Sequence, residues 1–186
     1  FKLDPENFVL SHARSFSLHP KFELVGGVDE DPEKCNSFEA EYKRPAYINV
    51  ESAFKDLKPS IVVISTPSNV HGSTLMRIIN SHVPKVIVCE KPLDNSLEVA
   101  QQMVELCHLK DVKLFVNYIR RSEPSVLKIK KMIDSNVIKA PIKAKVWYSK
   151  GLLNNGSHML NLLEYWLGEV KCCDIIRADK CLTNVD

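Results

Sequence analysis

Lys91 stands where a lysine can do chemistry. It follows the apolar run Lys85-Val86-Ile87-Val88-Cys89 in the tripeptide Glu90-Lys91-Pro92, so a strand ending there delivers an amine to its carboxyl tip. A second apolar run, Ile61 to Ile64, ends in Ser65-Thr66-Pro67, with Asn69 and His71 just beyond. Buried parallel strands with polar residues at their carboxyl tips are what an open α/β sheet offers a ligand. Three more groups stand at comparable points. Asp29 closes the compact stretch Phe22 to Val28, where it either accepts hydrogen bonds from a ligand or, with Glu30 and Asp31, caps the next helix. Tyr118 and Arg120 follow the run Val112 to Asn117 and could bind hydroxyls or a carboxylate, while Arg120 and Arg121 could equally be a solvated pair. Asn154-Asn155-Gly156-Ser157-His158 opens a late helix.

These residues need elements to hold them. Apolar spacing predicts helices over Phe8 to Leu18, Pro32 to Tyr42, Val50 to Leu57, Val70 to Ser81 and Ser96 to Leu109. Between them lie strands at Phe22 to Val28, Ser60 to Ser65, Val83 to Cys89 and Val112 to Asn117, with a short extended piece at Ala46 to Ile48. Strands alternating with amphipathic helices predict parallel pairing through right-handed crossovers, which is a doubly wound sheet. After Arg121 the texture changes. A basic amphipathic helix, Pro124 to Asp134, precedes Pro141 and an alternating strand, Ile142 to Ser149. The loop Lys150 to Gly156, a helix Ser157 to Leu167 stopped by Gly168, and a strand near Val170 to Ile176 follow. This divides the chain into residues 1–121 and a second domain, 122–186, too short to close a sheet of its own.

Composition narrows the function classes. The 186 residues are 45% hydrophobic and 26% charged, as in an ordinary soluble globular protein. The net charge of +2 comes from scattered Lys and Arg without the basic stripe that nucleic-acid or membrane binding needs. No apolar run reaches the roughly 18 residues of a membrane span, and no charged-then-apolar leader opens the chain. Cys35, Cys89, Cys107, Cys172, Cys173 and Cys181 form no C-x-x-C pair and mostly sit in apolar runs, which argues against a disulfide framework or a metal site and for the reducing cytoplasm.

Five segments in order resemble one family: Val25-Gly26-Gly27-Val28-Asp29; Ile61 to Pro67 with His71; Val88-Cys89-Glu90-Lys91-Pro92; Val116-Asn117-Tyr118-Ile119-Arg120-Arg121; and Gly151 to His158 with Trp166-Leu167-Gly168. It is the family of oxidoreductases typified by glucose-fructose oxidoreductase, inositol dehydrogenase and the rhizopine-catabolism protein. The resemblance implies a Rossmann domain followed by part of an α+β open-faced sheet domain. Such proteins open with a strand and a G-x-G-x-x-G turn that holds the dinucleotide pyrophosphate at a helix N-terminus. Gly26-Gly27 lie inside a strand and cannot serve as that turn, so the expectation places it upstream of Phe1.

The resemblance assigns roles. Asp29 would accept from the adenosine ribose hydroxyls and repel a 2′-phosphate, favouring NAD, although Lys34 and Lys43 keep NADP possible. Ser65, Thr66, Pro67, Asn69, His71, Glu90 and Lys91 would contact the cofactor, His71 by backbone and packing, with the Lys91-Pro92 peptide cis. Lys91 would manage the hydroxyl proton as hydride leaves the alcohol carbon, aided by His158. Tyr118, Arg120, Asn154, Asn155 and His158 would face the substrate. Asn154 occupies the position where the resemblance implies aspartate, which argues against a two-residue proton relay and for Lys91 acting alone with His158 as orienter. The implied activity is hydride transfer between NAD(P) and a hydroxyl-bearing carbon of a sugar, polyol or sugar derivative, with no metal required. The alternative is a non-catalytic dinucleotide-binding regulator or scaffold on the same fold. An open sheet face at Ile142 to Ser149 would bury itself in a homodimer or homotetramer.

Overall fold

The computed structural model describes residues 9, 11–172 and 174. Elements form where local chemistry favours them. Helix α1 (His12–Leu18) starts at Ser11, whose side chain accepts from Arg14 N; Phe8 and Leu10, in the expected first turn, lie outside the described residues. Strand β1 (Gly27–Val28) leads into α2 (Pro32–Tyr42), capped by Asp31 Oδ1 accepting from Glu33 N at 2.9 Å and opened by Pro32. Strand β2 (Ala46–Tyr47) precedes α3 (Val50–Asp56), where Asn49 Oδ1 accepts from Ser52 N at 2.8 Å. Then come β3 (Ile61–Ile64), a 3-10 turn (Ser68–Val70), α4 (His71–Ser81), β4 (Val86–Cys89), α5 (Leu97–Leu109), with Ser96 as cap, and β5 (Lys113–Val116).

All strand pairing among the described residues is parallel. β1 pairs with β2, and β4 lies between β3 and β5. Numbered as in the doubly wound order 3-2-1-4-5-6, these five strands correspond to strands 2 to 6. The expected single sheet is two ladders here, since no hydrogen bonds join β1 to β3 among the described residues. In the central ladder Ile64 pairs with Cys89 and Cys89 with Val116, so Ser65, Glu90 and Asn117 leave the three strands at one level.

The core lies between this ladder and its crossover helices. Ile64, Leu75, Ile87, Met103 and Cys107 are buried, with Phe54 and Val50 of α3 joining the same cluster. Each such apolar side chain contributes about 1.5–3 kcal/mol relative to exposure.

Beyond Asn117 a 3-10 turn (Ile119–Ser122) leads to α6 (Pro124–Asp134), and a π-helical turn (Leu152–Gly156) to α7 (Ser157–Leu167). Trp166 Nε1 donates to the Val126 carbonyl at 3.1 Å and ties α7 to α6.

Two expectations are corrected. Phe22 to Val28 forms a ladder only at Gly27–Val28. At Gly26 a Cβ would stand 2.8 Å from the Pro45 oxygen and 2.5 Å from Leu57 Cδ1, so the backbone packs closely there instead of pairing. Ile142 to Ser149 alternates but is not a strand, because the described residues offer it no neighbouring strand to pair with. Of the strand expected at Val170 to Ile176, positions 173, 175 and 176 lie outside the described residues, and the described positions, 170–172 and 174, are not strand. No helix among the described residues is long and apolar enough to cross a membrane.

Candidate active site

The level tips of β3, β4 and β5 assemble the site. Glu90 N donates to Ile64 O at 2.9 Å and Asn117 N to Cys89 O at 2.8 Å, which extends the ladder by one residue. That places the Asn117 amide beside the Glu90 carboxylate: Nδ2 donates to Oε1 at 2.6 Å, and His12 Nε2 of α1 lies 2.8 Å from the same oxygen. Burial pushes the Glu90 carboxyl up, but the bonds from Asn117 and His12 outweigh it and hold the group below its ordinary value.

Lys91 follows, with a cis peptide to Pro92. Its Nζ donates to Asn154 Oδ1 at 2.6 Å, across a cleft of about 220 Å³ lined by Ser68, Lys91, Pro92, Asn95, Leu153 and Asn154. Asn154 reaches the lysine from the π-helical turn, which Gly156 N closes on Gly151 O at 3.1 Å. Gly151, at φ 77° and ψ 166°, adopts a backbone region open essentially to glycine alone.

His158, in the first turn of α7, is buried, and its Nδ1 has no partner among the described residues. Tyr118 meets its ring edge to face, centroids 5.7 Å apart. Burial, then the positive charges of Lys91 and Arg120, hold the imidazole below its ordinary value. A buried polar atom without a partner is costly unless a ligand satisfies it.

The remaining expected residues are placed as follows. Ser65, Thr66, Pro67 and Asn69 form an exposed loop at the tip of β3. The His71 ring is buried behind them: Nε2 lies 2.8 Å from Thr66 O, and Nδ1 lies 3.0 Å from Pro92 O and 3.1 Å from Leu93 O. It joins the β3 loop to the Lys91-Pro92 turn through their backbones. Asp29 Oδ1 accepts from Asp31 N at 3.0 Å and pairs with Lys34 at 3.5 Å, while Oδ2 has no partner among the described residues. Of the two arginines, Arg121 is structural, since Nε donates to Asn161 Oδ1 at 2.6 Å and the guanidinium lies over the Tyr165 ring. Arg120 has no side-chain hydrogen bond or ion pair among the described residues. Asn155 is half-buried without a side-chain bond there.

Sequence reasoning missed Ser68, Asn95 and Leu153 in the cleft wall and His12 and Asn117 on Glu90. Ser68 and Asn95 lie one and three residues past the prolines of their loops, a signal that was legible. Asp94, also missed, accepts from Ser96 N at 2.9 Å and Gly72 N at 3.4 Å, pinning the cleft loop to the starts of α4 and α5. A second hollow of about 230 Å³, with Ser17, Phe22 and Tyr42 in its wall, has its Arg44 paired to Glu23 and gathers no reactive set.

A parallel α/β fold with a polar cleft at its strand tips defines a Rossmann-type nucleotide-binding protein. The model of the glucose-fructose oxidoreductase, inositol dehydrogenase and rhizopine-catabolism family, described as an oxidoreductase family with an NAD-binding Rossmann fold, matches residues 7–118, and the chain belongs to that family. It is 30% identical over 119 residues to D-xylose 1-dehydrogenase [NADP(+)] of Haloarcula marismortui, covering 62% of this chain and 32% of that protein. It is 28% identical over 128 residues to inositol 2-dehydrogenase of Rhizobium meliloti, covering 68% of this chain and 38% of the relative. The solved structure of scyllo-inositol dehydrogenase from Lactobacillus casei with NAD(H) and scyllo-inositol shares the fold at TM-score 0.73 and 17% identity, over 84% of this chain and 52% of that one. The matched segments span about a quarter to two fifths of the length of the curated relatives named or similar to them.

Proposed function

We propose that this chain carries the cofactor domain, and from about residue 122 the start of the substrate domain, of an NAD-dependent dehydrogenase acting on a hydroxyl-bearing carbon of a sugar, polyol or sugar derivative. The observation that carries this reading is the meeting of Lys91 Nζ with Asn154 Oδ1 at a cleft beside the buried His158, whose Nδ1 has no partner among the described residues.

The residues present fit the cofactor. Asp29 keeps Oδ2 available for a ribose hydroxyl and would repel a 2′-phosphate, with Lys34 leaving NADP as the lesser option. Bound NAD supplies the hydride acceptor. The chain's own part is proton management: an alcohol gives up hydride only as its hydroxyl proton leaves, and Lys91 is the group positioned to take or share it. Asn154 aims Nζ through a neutral acceptor that carries no proton away. His158 orients the hydroxyl through Nδ1, Tyr118 fixes the imidazole plane, and Arg120 and Asn155 complete the substrate contacts.

The test is reduction of NAD by the full-length protein with a panel of sugars and inositols. Lys91→Ala should lose on the order of 10²–10⁴ in rate while still binding NAD. A second reading, a dinucleotide-binding regulator or scaffold, is favoured by one observation, the amide in place of a carboxylate beside Lys91. Tight NAD binding with no turnover across the panel would select it. We further propose a cytoplasmic homodimer or homotetramer, supported by the exposed Val146, Trp147 and Tyr148; light scattering on the full-length protein tests the assembly.

A further inference from the structure

We propose that His12 is a positioning residue of the reaction: from helix α1 it fixes the Glu90 carboxylate, and through it the strand tip that presents Lys91. The inference rests on the oxidoreductase reading for the role of Lys91 and deepens it with a residue outside the cleft.

The bond has one direction. An ionised carboxylate only accepts, so His12 Nε2, 2.8 Å from Glu90 Oε1, is the donor and carries the ring hydrogen. Asn117 Nδ2 donates to the same oxygen at 2.6 Å. Two donors from different elements on one oxygen restrict the carboxylate to one orientation, and bonds to an ionised acceptor are about twice as strong as neutral ones.

The two donors have different work to do. Asn117 leaves β5 level with Glu90, where the ladder already joins the strands through Asn117 N and Cys89 O. His12 comes from outside that ladder. Its helix precedes β1, and no hydrogen bonds join β1 to β3 among the described residues. Side-chain bonds cross between the part before β3 and the part after it at two places among the described residues. One is Arg77 of α4 on Glu51 and Glu30, at the exposed surface. The other is His12 on Glu90, half-buried at the strand tips, and this one reaches the residue that shares a peptide with Lys91. Lys91 is therefore held at both ends, at Nζ by Asn154 and at its backbone by the clamp on Glu90. A misplacement of about 1 Å can cost on the order of 10²-fold in rate, so a clamp one residue from the amine bears on kcat.

The experiment is a double-mutant cycle in the full-length protein with NAD, using whichever of D-xylose, D-glucose and myo-inositol reduces NAD fastest. His12→Ala should lower kcat about tenfold while the KM for NAD changes by about twofold or less. His12→Gln keeps an N–H donor and should recover part of the loss. In the Lys91→Ala background His12→Ala should cost no more than about twofold further, because its effect passes through the lysine. A purely structural role would give the same fold loss in both backgrounds. A second cycle, His12→Ala with Glu90→Ala, is read from urea unfolding without cofactor and should show a coupling of about fivefold in the unfolding constant. Unchanged kcat in His12→Ala, equal losses with and without Lys91, or no coupling in the urea cycle overturns the inference and leaves the dehydrogenase reading standing. No NAD reduction by the wild type with any of the three substrates overturns it together with that reading.

Discussion

Lys91 and Asn154 stand 63 positions apart in the chain and 2.6 Å apart at Nζ and Oδ1. The bond ties the tip of β4 to the turn that launches α7, so the aim of the lysine depends on a segment remote in sequence. Because the acceptor is an amide, it directs the ammonium without adding a charge of its own.

Asn154→Ala removes the acceptor that aims Lys91 Nζ. It should lower kcat/KM while NAD binding is unchanged, and Asn154→Asp, which restores an acceptor oxygen at that contact, should recover more of the activity than Asn154→Ala does. Equal kcat/KM for the wild type and Asn154→Ala would contradict the aiming role.

Glu90 predicts an acid limb of stability. Its carboxyl is held below the ordinary range in the folded protein, by bonds from Asn117 and His12 that outweigh burial. The stabilisation is therefore present above the unfolded value near 4.3 and lost as pH falls through the lower folded value. Urea midpoints followed down from about pH 6 should drop more steeply for the wild type than for Glu90→Gln; parallel curves would count against the clamp.

His71→Leu removes the ring that bridges the Thr66, Pro92 and Leu93 carbonyls. Each carbonyl left facing an apolar side chain costs about 1–3 kcal/mol. The denaturant midpoint should fall accordingly, and an unchanged midpoint would show that the carbonyls find water instead.

Leu75 and Met76 are neighbours on α4 with opposite fates, 0% and 51% exposed. Leu75→Ala should cost about 2–5 kcal/mol and Met76→Ala stay within about 0.5 kcal/mol. Similar losses for both would mean that α4 packs on a different face.

Helices with local start or stop signals were the most legible part of the chain. Pro32–Tyr42 is opened by Asp31 and Pro32, Pro124–Asp134 by Pro124, and Ser157–Leu167 is closed by Gly168, because those signals are local. Strand ends were less so, since a ladder needs a partner: Val83 drops out before Pro84, and Ile142 to Ser149 alternates without a neighbour. In the site, Lys91 was visible because an apolar run stops at it. Its bond to Asn154, and the His12 to Glu90 contact across 78 positions, arise from tertiary packing that no local pattern encodes. Nor could sequence tell Arg120 from Arg121; packing against Asn161 and Tyr165 separates them.

The turn Leu152–Gly156 is wound with one residue more than an α-helix would use. Deleting a single residue there would let the turn relax to ordinary helix and swing the residues ahead of it by roughly 100° about the axis. Asn154 would then leave Lys91 while α7 and the fold stayed whole. Along this stretch a lineage can gain or lose its lysine partner by one codon's insertion or deletion, a far shorter route than rebuilding a strand tip.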